Sequence, residues 1–370
     1  MAKNDWLTKL CGEFGKVASD VQSTEEIIRM PSPSLNFALG NGGIAEGKVV
    51  ISYGPESAGK SLVSYLGLIA VQKKYPDGLV MIFDAEYAFM KEHFKKLGGD
   101  LSRTIVIQTN NPLKIFDYIF NDIYQMLQDG APLKAIMIDS FRSIAYPKDT
   151  NKKESTSMIQ GGTGAAYLPS ALKRILPVIR EYNVTLFGVQ QVAEEMDQYK
   201  KMSNPYTLPD GRALKHFADL LLEVTKVETK DNIITSGTNF MGNDQQVGHK
   251  VRVKVKKNRL GVPARIAEFT LNYLIGVVNT EDEIVELAKT LSVISHPVNP
   301  DTGKINAQMW QFKNYPSIRG EDNMKKWVLA SADILKEVEQ ACYEVSDDSV
   351  IEQRNQAFAP ATVDIDVDIL

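Results

Sequence analysis

The sequence predicts an α/β fold: a mostly parallel twisted sheet flanked by helices, preceded by an N-terminal helix and followed by a small C-terminal α+β domain. Three observations predict it. Gly54-Pro55-Glu56-Ser57-Ala58-Gly59-Lys60-Ser61 has the G-x-x-x-x-G-K-[ST] spacing of a phosphate-binding loop, which joins a strand to a helix. Short β-branched runs alternate with helical apolar patterns on both sides of that loop. Two of the runs close on carboxylates, one on Asp84 and Glu86, the other on Asp139, and ligands bind at the carboxyl ends of strands in such sheets.

Residues 3 to 19 place Trp6, Leu7, Leu10, Phe14 and Val17 at helical spacing, a stripe that must pack on something, and another subunit is one candidate. Pro31 and Pro33 rule out a continuous helix over 22–34, so 1–33 reads as an oligomerisation helix and linker. A core over 34–273 begins with the strand Lys48 to Tyr53. In the loop after it, Gly54 and Gly59 let the backbone wrap an anion, Lys60 reaches the outer phosphates, and the Ser61 hydroxyl suits Mg²⁺. The helix that starts there adds its positive end and shows an apolar face of Leu62, Tyr65, Leu66, Ile69 and Val71.

The rhythm continues with strands at 79–83 and 104–108, a helix at 116–127 with Phe116, Ile119, Phe120, Ile123 and Leu127 on one face, and a strand ending in Asp139. Asp139 is placed to bind Mg²⁺ through its water shell. A polar stretch, 147–164, carries Lys152, Lys153, Gly161 and Gly162 and reads as a mobile surface loop. The helix after it exposes Lys173, Arg174 and Arg180, and the strand at 185–189 ends in Gln190 and Gln191. A second long loop, 192–212, mixes Met196, Tyr199, Met202 and Tyr206 with Lys200, Lys201, Gly211 and Arg212, which suits stacking on bases while neutralising phosphates.

A strand at 220–227 and a polar hairpin or loop at 235–248 lead into Lys250 to Lys256, where cations alternate with Val251, Val253 and Val255. The valines face the core, the cationic row runs on into Lys257-Asn258-Arg259, and 267–273 pairs with this strand. From Thr280 the period is helical, with Ile284, Leu287, Ala288 and Leu291 and then 327–345, so 274–343 reads as a small domain. Beyond it, 344–370 reads as an acidic disordered tail ending in Asp364, Asp366 and Asp368 alternating with aliphatics. That tail could gate the DNA surface, keep the chain soluble or dock a partner.

A net charge of −4 keeps any DNA-binding surface local, with acids segregated elsewhere. Cys11 and Cys342 lie far apart without metal-binding spacing, which supports neither a disulfide framework nor a zinc site. No run approaches a membrane span, and Met1 to Gln22 lacks the apolar core of a signal peptide, so a cytoplasmic protein is expected.

In this order the motifs resemble the bacterial RecA recombinase family and its phage-encoded UvsX-like homologues. The resemblance is carried by Ser34-Leu-Asn-Phe-Ala-Leu-Gly40 with Gly42-Gly43, Tyr53 to Lys60, Phe83-Asp-Ala-Glu-Tyr-Ala88, Lys96-Leu-Gly98, Ile138-Asp-Ser140, Gly211-Arg-Ala-Leu-Lys215 and Arg252 to Arg259. It implies a RecA-type core that takes ATP and Mg²⁺, a DNA-dependent ATPase that forms helical filaments on single-stranded DNA and exchanges strands with homologous duplex. It implies single-strand-binding protein and loading mediators as partners. By the same resemblance Glu86 is the general base, Asp139 the Mg²⁺-side acid and Gln191 the γ-phosphate sensor. Lys257 and Arg259 reach the neighbouring subunit's ATP, where the family usually has two lysines, Lys215 and His216 sit at the subunit interface, and the two long loops bind DNA. Met90 and His93 depart from the family's adenine-contacting Asp and Tyr, which leaves base selectivity open. A hexameric RecA-core helicase or repair ATPase and a small-molecule kinase share the phosphate loop and are the competing readings.

Overall fold

A computed structural model describes residues 26–40, 42–145, 164–194, 206–208, 211–227, 233–238, 244–261, 265–298 and 303–357. In chain order the strands are β1 (Ile27–Ile28), β2 (Ile44–Ala45), β3 (Val49–Gly54), β4 (Leu79–Asp84), β5 (Thr104–Gln108), β6 (Leu133–Asp139), β7 (Thr185–Gln191), β8 (Ala193–Glu194), β9 (Tyr206–Thr207), β10 (Leu220–Lys226), β11 (Ile233–Thr238), β12 (Asp244–Asn258), β13 (Ile266–Asn272) and β14 (Gly276–Val278). The C-terminal module adds β15 (Ile294–Ser295), β16 (Met309–Phe312) and β17 (Ile318–Arg319).

The large sheet runs β14-β13-β12-β10-β3-β7-β6-β4-β5, with β11 also paired to β12. From β10 to β5 every pairing is parallel, and the β10 to β14 wing is antiparallel. The parallel strands β3, β6 and β7 are buried along nearly their whole length because helices cover both faces. One face, to which β12 contributes Val251, Val253 and Val255, packs on the helix Lys60–Lys74; the other packs on the helices Gly164–Glu181 and Gly211–Phe217 and the turns from Leu113 to Gln128. Among the described residues, no helix is long and apolar enough to cross a membrane.

Several expectations change on contact with this packing. Lys60–Lys74 is buried on nearly all sides, with Val63, Ser64, Gly67, Leu68 and Ala70 covered as well as the anticipated stripe. A helix roofed by sheet on one side and by other segments on the other needs no polar face. In the 113–128 segment Ile115 is buried and Phe120 is exposed, with the Arg174 guanidinium 4.4 Å from its ring. The segment is wound in wide π-type turns over Leu113–Asp117 and Ile119–Ile123, so an α-helical period picks a slightly wrong face.

The C-terminal module packs the helices Thr280–Thr290, Glu321–Leu329 and Ala332–Ala357 around Ile284, Val285, Phe312, Met324, Val328, Val338 and Cys342. The last helix continues past 343, where the acidic tail was expected to begin, as far as Ala357. Extending an existing helix costs far less than nucleating one, so the buried half around Val338 and Cys342 carries a polar extension. The stripe at residues 3 to 19 and the terminal acids from Asp364 lie outside the described residues.

Candidate nucleotide site and its surroundings

The register of the parallel strands builds the site. Gly54 of β3 pairs with Gln191 of β7, and Asp84 of β4 pairs with Asp139 of β6, so the carboxyl ends of four adjacent strands finish together. Gly54 has φ 157°, and a Cβ there would lie 2.0 Å from Val224 O, so only glycine lets β3 run this close to β10 into the loop. Gly59 has φ 97°, a left-handed value natural to glycine, and immediately precedes the helix that begins at Lys60.

Lys60 is buried, with Nζ donating to Pro55 O at 2.5 Å. Burial lowers its pKa, and the carboxylates of Asp139, Glu86 and Glu56, in that order, pull it back. Asp139 is buried too. Burial pushes it up to about 6, opposed by a hydrogen bond from the Ser61 side chain and reinforced by Glu86 and Asp84. Lys60, Ser61, Asp139 and Glu86 are thus within electrostatic reach of one another. A carboxylate joined to a hydroxyl at a phosphate loop is a donor set that fits Mg²⁺, which takes few protein oxygens and completes its shell with water and phosphate.

Glu86 is exposed and held from three sides: its Oε1 accepts from Ser140 Oγ at 2.6 Å, Ser143 Oγ at 3.0 Å and Gln191 Nε2 at 3.0 Å. The turn that presents it is tied down by Asp84, which accepts from the N–H groups of Ala88 and Phe89 and from Gln108 Nε2, each at 3.0 Å. Ser143 and Gln108 were absent from the sequence-derived site, Ser140 entered only as part of the Ile138-Asp-Ser140 motif, and Asp84 was read only as a strand-end carboxylate. Asp84 sits beside Glu86 in a strand-ending run, but only the fold shows that its work is to shape the turn.

Lys257 and Arg259 lie elsewhere. Leu220 of β10 pairs with both Val50 and Asn258, which sets these cations level with the amino end of β3, opposite to the phosphate loop. They gather at the end of Gly211–Phe217, where Lys257 Nζ donates to Lys215 O and, at 3.2 Å, to His216 O; Arg259 donates to His216 O at 2.7 Å and to Asp219 Oδ1 at 3.1 Å. All four sequence-assigned interface residues therefore meet at one place. The cationic row of β12 does not continue smoothly into them: the register slips so that Lys256 is an extra residue, which re-aims Lys257. Within the row Lys250 and Arg252 pair with Glu268, and Lys256 pairs with Glu223, so these cations are matched inside the chain.

Of the residues assigned to DNA, Lys173 is exposed on the helix Gly164–Glu181, and Arg174 is tied to Asp117 at 2.8 Å and to Phe120, which takes it out of the freely available set. Gly211 and Arg212 open the helix Gly211–Phe217. Lys152, Lys153, Gly161, Gly162, Met196, Tyr199, Lys200, Lys201 and Met202 lie outside the described residues. Met90 is exposed, and His93 donates through Nε2 to Tyr273 O at 2.6 Å.

Comparison with known proteins gives a consistent result. The family model described as the RecA N-terminal domain matches residues 8–278. Among curated proteins named Protein RecA, that of Aquifex pyrophilus is 29% identical over 346 residues, covering 92% of this chain and 90% of its own. The Mycolicibacterium smegmatis protein is 27% identical over 354 residues, covering 95% and 93%, and the Tropheryma whipplei protein is 28% identical over 338 residues, covering 90% and 70%.

Proposed function

Because the chain belongs to the RecA family, a family of DNA recombination and repair, we propose that it is a DNA-dependent ATPase that polymerises helically on single-stranded DNA. The filament pairs that strand with homologous duplex and exchanges strands in the cytoplasm. The observation that carries the reading is the separation of Lys257 and Arg259 from the phosphate loop of their own chain. Val50 to Gly54 is four residues of strand, about 13 Å, before the lateral offset of two strands is added. Cations that far away can serve a triphosphate only when it belongs to a neighbouring subunit. Turnover then requires head-to-tail assembly.

In this mechanism the loop N–H groups and Lys60 would hold the β- and γ-phosphates, and Ser61, with Asp139 acting through the ion's water shell, would hold the Mg²⁺. Bound there, Mg²⁺ supplies positive charge that neutralises the phosphate oxygens as charge spreads in phosphoryl transfer. Glu86 Oε1 orients the attacking water and takes its proton, with the carboxylate kept in one rotamer by Ser140 and Ser143. Gln191 bonds Glu86 at the end of β7, directly before the second candidate DNA loop, so a shift of Gln191 toward a γ-phosphate alters where that loop begins. The two long loops bind DNA, and single-strand-binding protein and loading mediators are the accessory partners.

The test is electron microscopy of the protein with single-stranded DNA and a non-hydrolysable ATP analogue. Helical filaments are expected. Closed rings would favour the hexameric helicase reading, and free monomers with DNA-independent turnover would favour a small-molecule kinase.

A further inference from the structure

Asp219, in the short turn between the helix Gly211–Phe217 and β10, is buried, its side chain 5% exposed, and no sequence motif singles it out. It holds each of two neighbours by two bonds. Toward β3, its N–H donates to Val49 O at 2.9 Å and its Oδ2 accepts from the Val49 N–H at 3.0 Å. Toward the end of β12, its carbonyl accepts from the Arg259 N–H at 3.1 Å and its Oδ1 from Arg259 Nη1, also at 3.1 Å. Val49 heads a strand that is buried along its whole length and has a neighbour on each side, so the Oδ2 anchor is fixed to the interior of the sheet.

The two carboxylate oxygens therefore do different work. Oδ2 satisfies a buried backbone donor, which is costly to leave unpaired. Oδ1 faces side chains: Arg259 Nη1 and, at the longer distance of 3.5 Å, Arg180 Nη2. Arg259 is gripped through both terminal nitrogens, since its Nη2 donates to His216 O at 2.7 Å. A guanidinium carries five N–H donors in a rigid planar fork, and these two bonds take one from each terminal nitrogen. Among the described residues no further hydrogen-bond partner holds the rest of the fork, on a side chain that is 42% exposed. An exposed arginine otherwise spreads over many rotamers, and fixing one in advance removes that ordering cost from the transition state.

We propose that Asp219 is a positioning residue for turnover: with the His216 carbonyl it holds the Arg259 guanidinium in one orientation at the subunit face, where its remaining N–H groups meet the triphosphate of the neighbouring subunit. Because Asp219 is pinned to Val49, the amino end of β3 in one subunit sets where this cation meets the next. Lys257 Nζ shares the His216 carbonyl with Arg259, and Arg180 approaches the same carboxylate, so Asp219 also offsets the mutual repulsion of three converging cations. The inference rests on the reading that Arg259 acts across the subunit boundary.

The experiment measures ATP turnover with saturating single-stranded DNA for full-length wild type, Asp219→Asn, Arg259→Ala and the variant carrying both changes, with urea unfolding as the check on folding. Asparagine is isosteric, but its one oxygen can serve only Val49 or Arg259. The buried Val49 N–H has no water to turn to, so the amide gives it the oxygen and sets its NH₂ against the guanidinium. Asp219→Ser, which removes the carboxylate without setting an amide against the arginine, runs in parallel so that the comparison does not depend on one variant folding. In both Asp219 variants kcat is expected to fall about 10- to 100-fold with KM for ATP little changed. Adding Asp219→Asn to Arg259→Ala is expected to cost nothing further, because the group it aims is already gone. Mixing supplies the second readout: Asp219→Asn with Glu86→Gln, like Arg259→Ala with Glu86→Gln, is expected to recover to about a quarter of wild-type turnover at equal ratio, since the Asp219→Asn subunit still serves as a site. Unchanged kcat in the Asp219 variants, equal losses with and without Arg259, or no recovery in the Asp219→Asn mixture where the Arg259→Ala mixture recovers would each overturn the inference and leave the reading across the boundary standing. Wild-type turnover in Arg259→Ala, or failure of both mixtures to recover, would overturn both.

Discussion

Mixing two inactive variants tests the division of labour between subunits. Lys257→Ala removes a cation and keeps Glu86; Glu86→Gln removes the base and keeps the cation. The structure bounds the side effects. Lys257 is half-buried and donates to the last carbonyls of Gly211–Phe217, an interaction worth about 0.3–1 kcal/mol at a helix end, so the variant remains folded. Each protein alone is expected to turn over ATP roughly 10³-fold more slowly than wild type with saturating single-stranded DNA, the scale of losing a trans-acting cation or a base. In a random head-to-tail polymer, a working junction needs a Lys257→Ala subunit as site and a Glu86→Gln subunit as donor. An equal mixture therefore recovers about a quarter of wild-type turnover, falling away symmetrically as the ratio departs from one to one. ATP turnover across a series of mixing ratios, at fixed total protein, measures this directly. A straight line between the two variants, with no maximum, would refute the trans assignment.

Three further outcomes rest on named contacts. Gly54→Ala drives a Cβ to 2.0 Å from Val224 O and is expected to cost about 3 kcal/mol or more in urea unfolding, because two strands inside a sheet cannot part for it. Glu86→Gln retains ATP and DNA binding by equilibrium titration while turnover falls about 10²–10⁴-fold, since the amide cannot take the water's proton. Burial raises Glu283 from 4.5 to about 7, against hydrogen bonds from Ser32 and Ser34, so the folded state binds this proton more tightly than the unfolded chain does. Stability is then lost as pH rises from about 4.5 to 7, by about 3 kcal/mol in all. Glu283→Gln flattens that slope in urea melts from pH 5 to 8, and an unchanged slope would reassign it.

The parallel core and the strand-end acids were legible because their signals are local. A β-branched run that ends in Asp139 and a glycine pattern around Lys60 each declare themselves within ten residues. Buried valines at 251, 253 and 255 were readable for the same reason, since alternation is a property of the strand itself. Whatever depends on residues distant in sequence was not readable. Ser143 reaches Glu86 across 57 positions, and Gln191 reaches it across 105. The slip at Lys256 is a matter of how two strands register, and an unbroken row of lysines hides it. The winding of Leu113 to Gln128 was misjudged because π-type turns leave no composition of their own, and Arg174 was counted as available because the sequence does not show Asp117 facing it.

The position of β3 also has a consequence for how the protein is made. This strand carries the phosphate loop, yet its two neighbours in the sheet, β7 and β10, begin at Thr185 and Leu220, far downstream. On a ribosome moving at about 5–20 residues per second, some ten to thirty seconds separate synthesis of the loop from synthesis of the strand that floors it. During that interval the nascent chain has the glycines and the lysine and no sheet edge to seat them against. Competence to hold a nucleotide therefore arrives late and all at once, after most of the core has emerged.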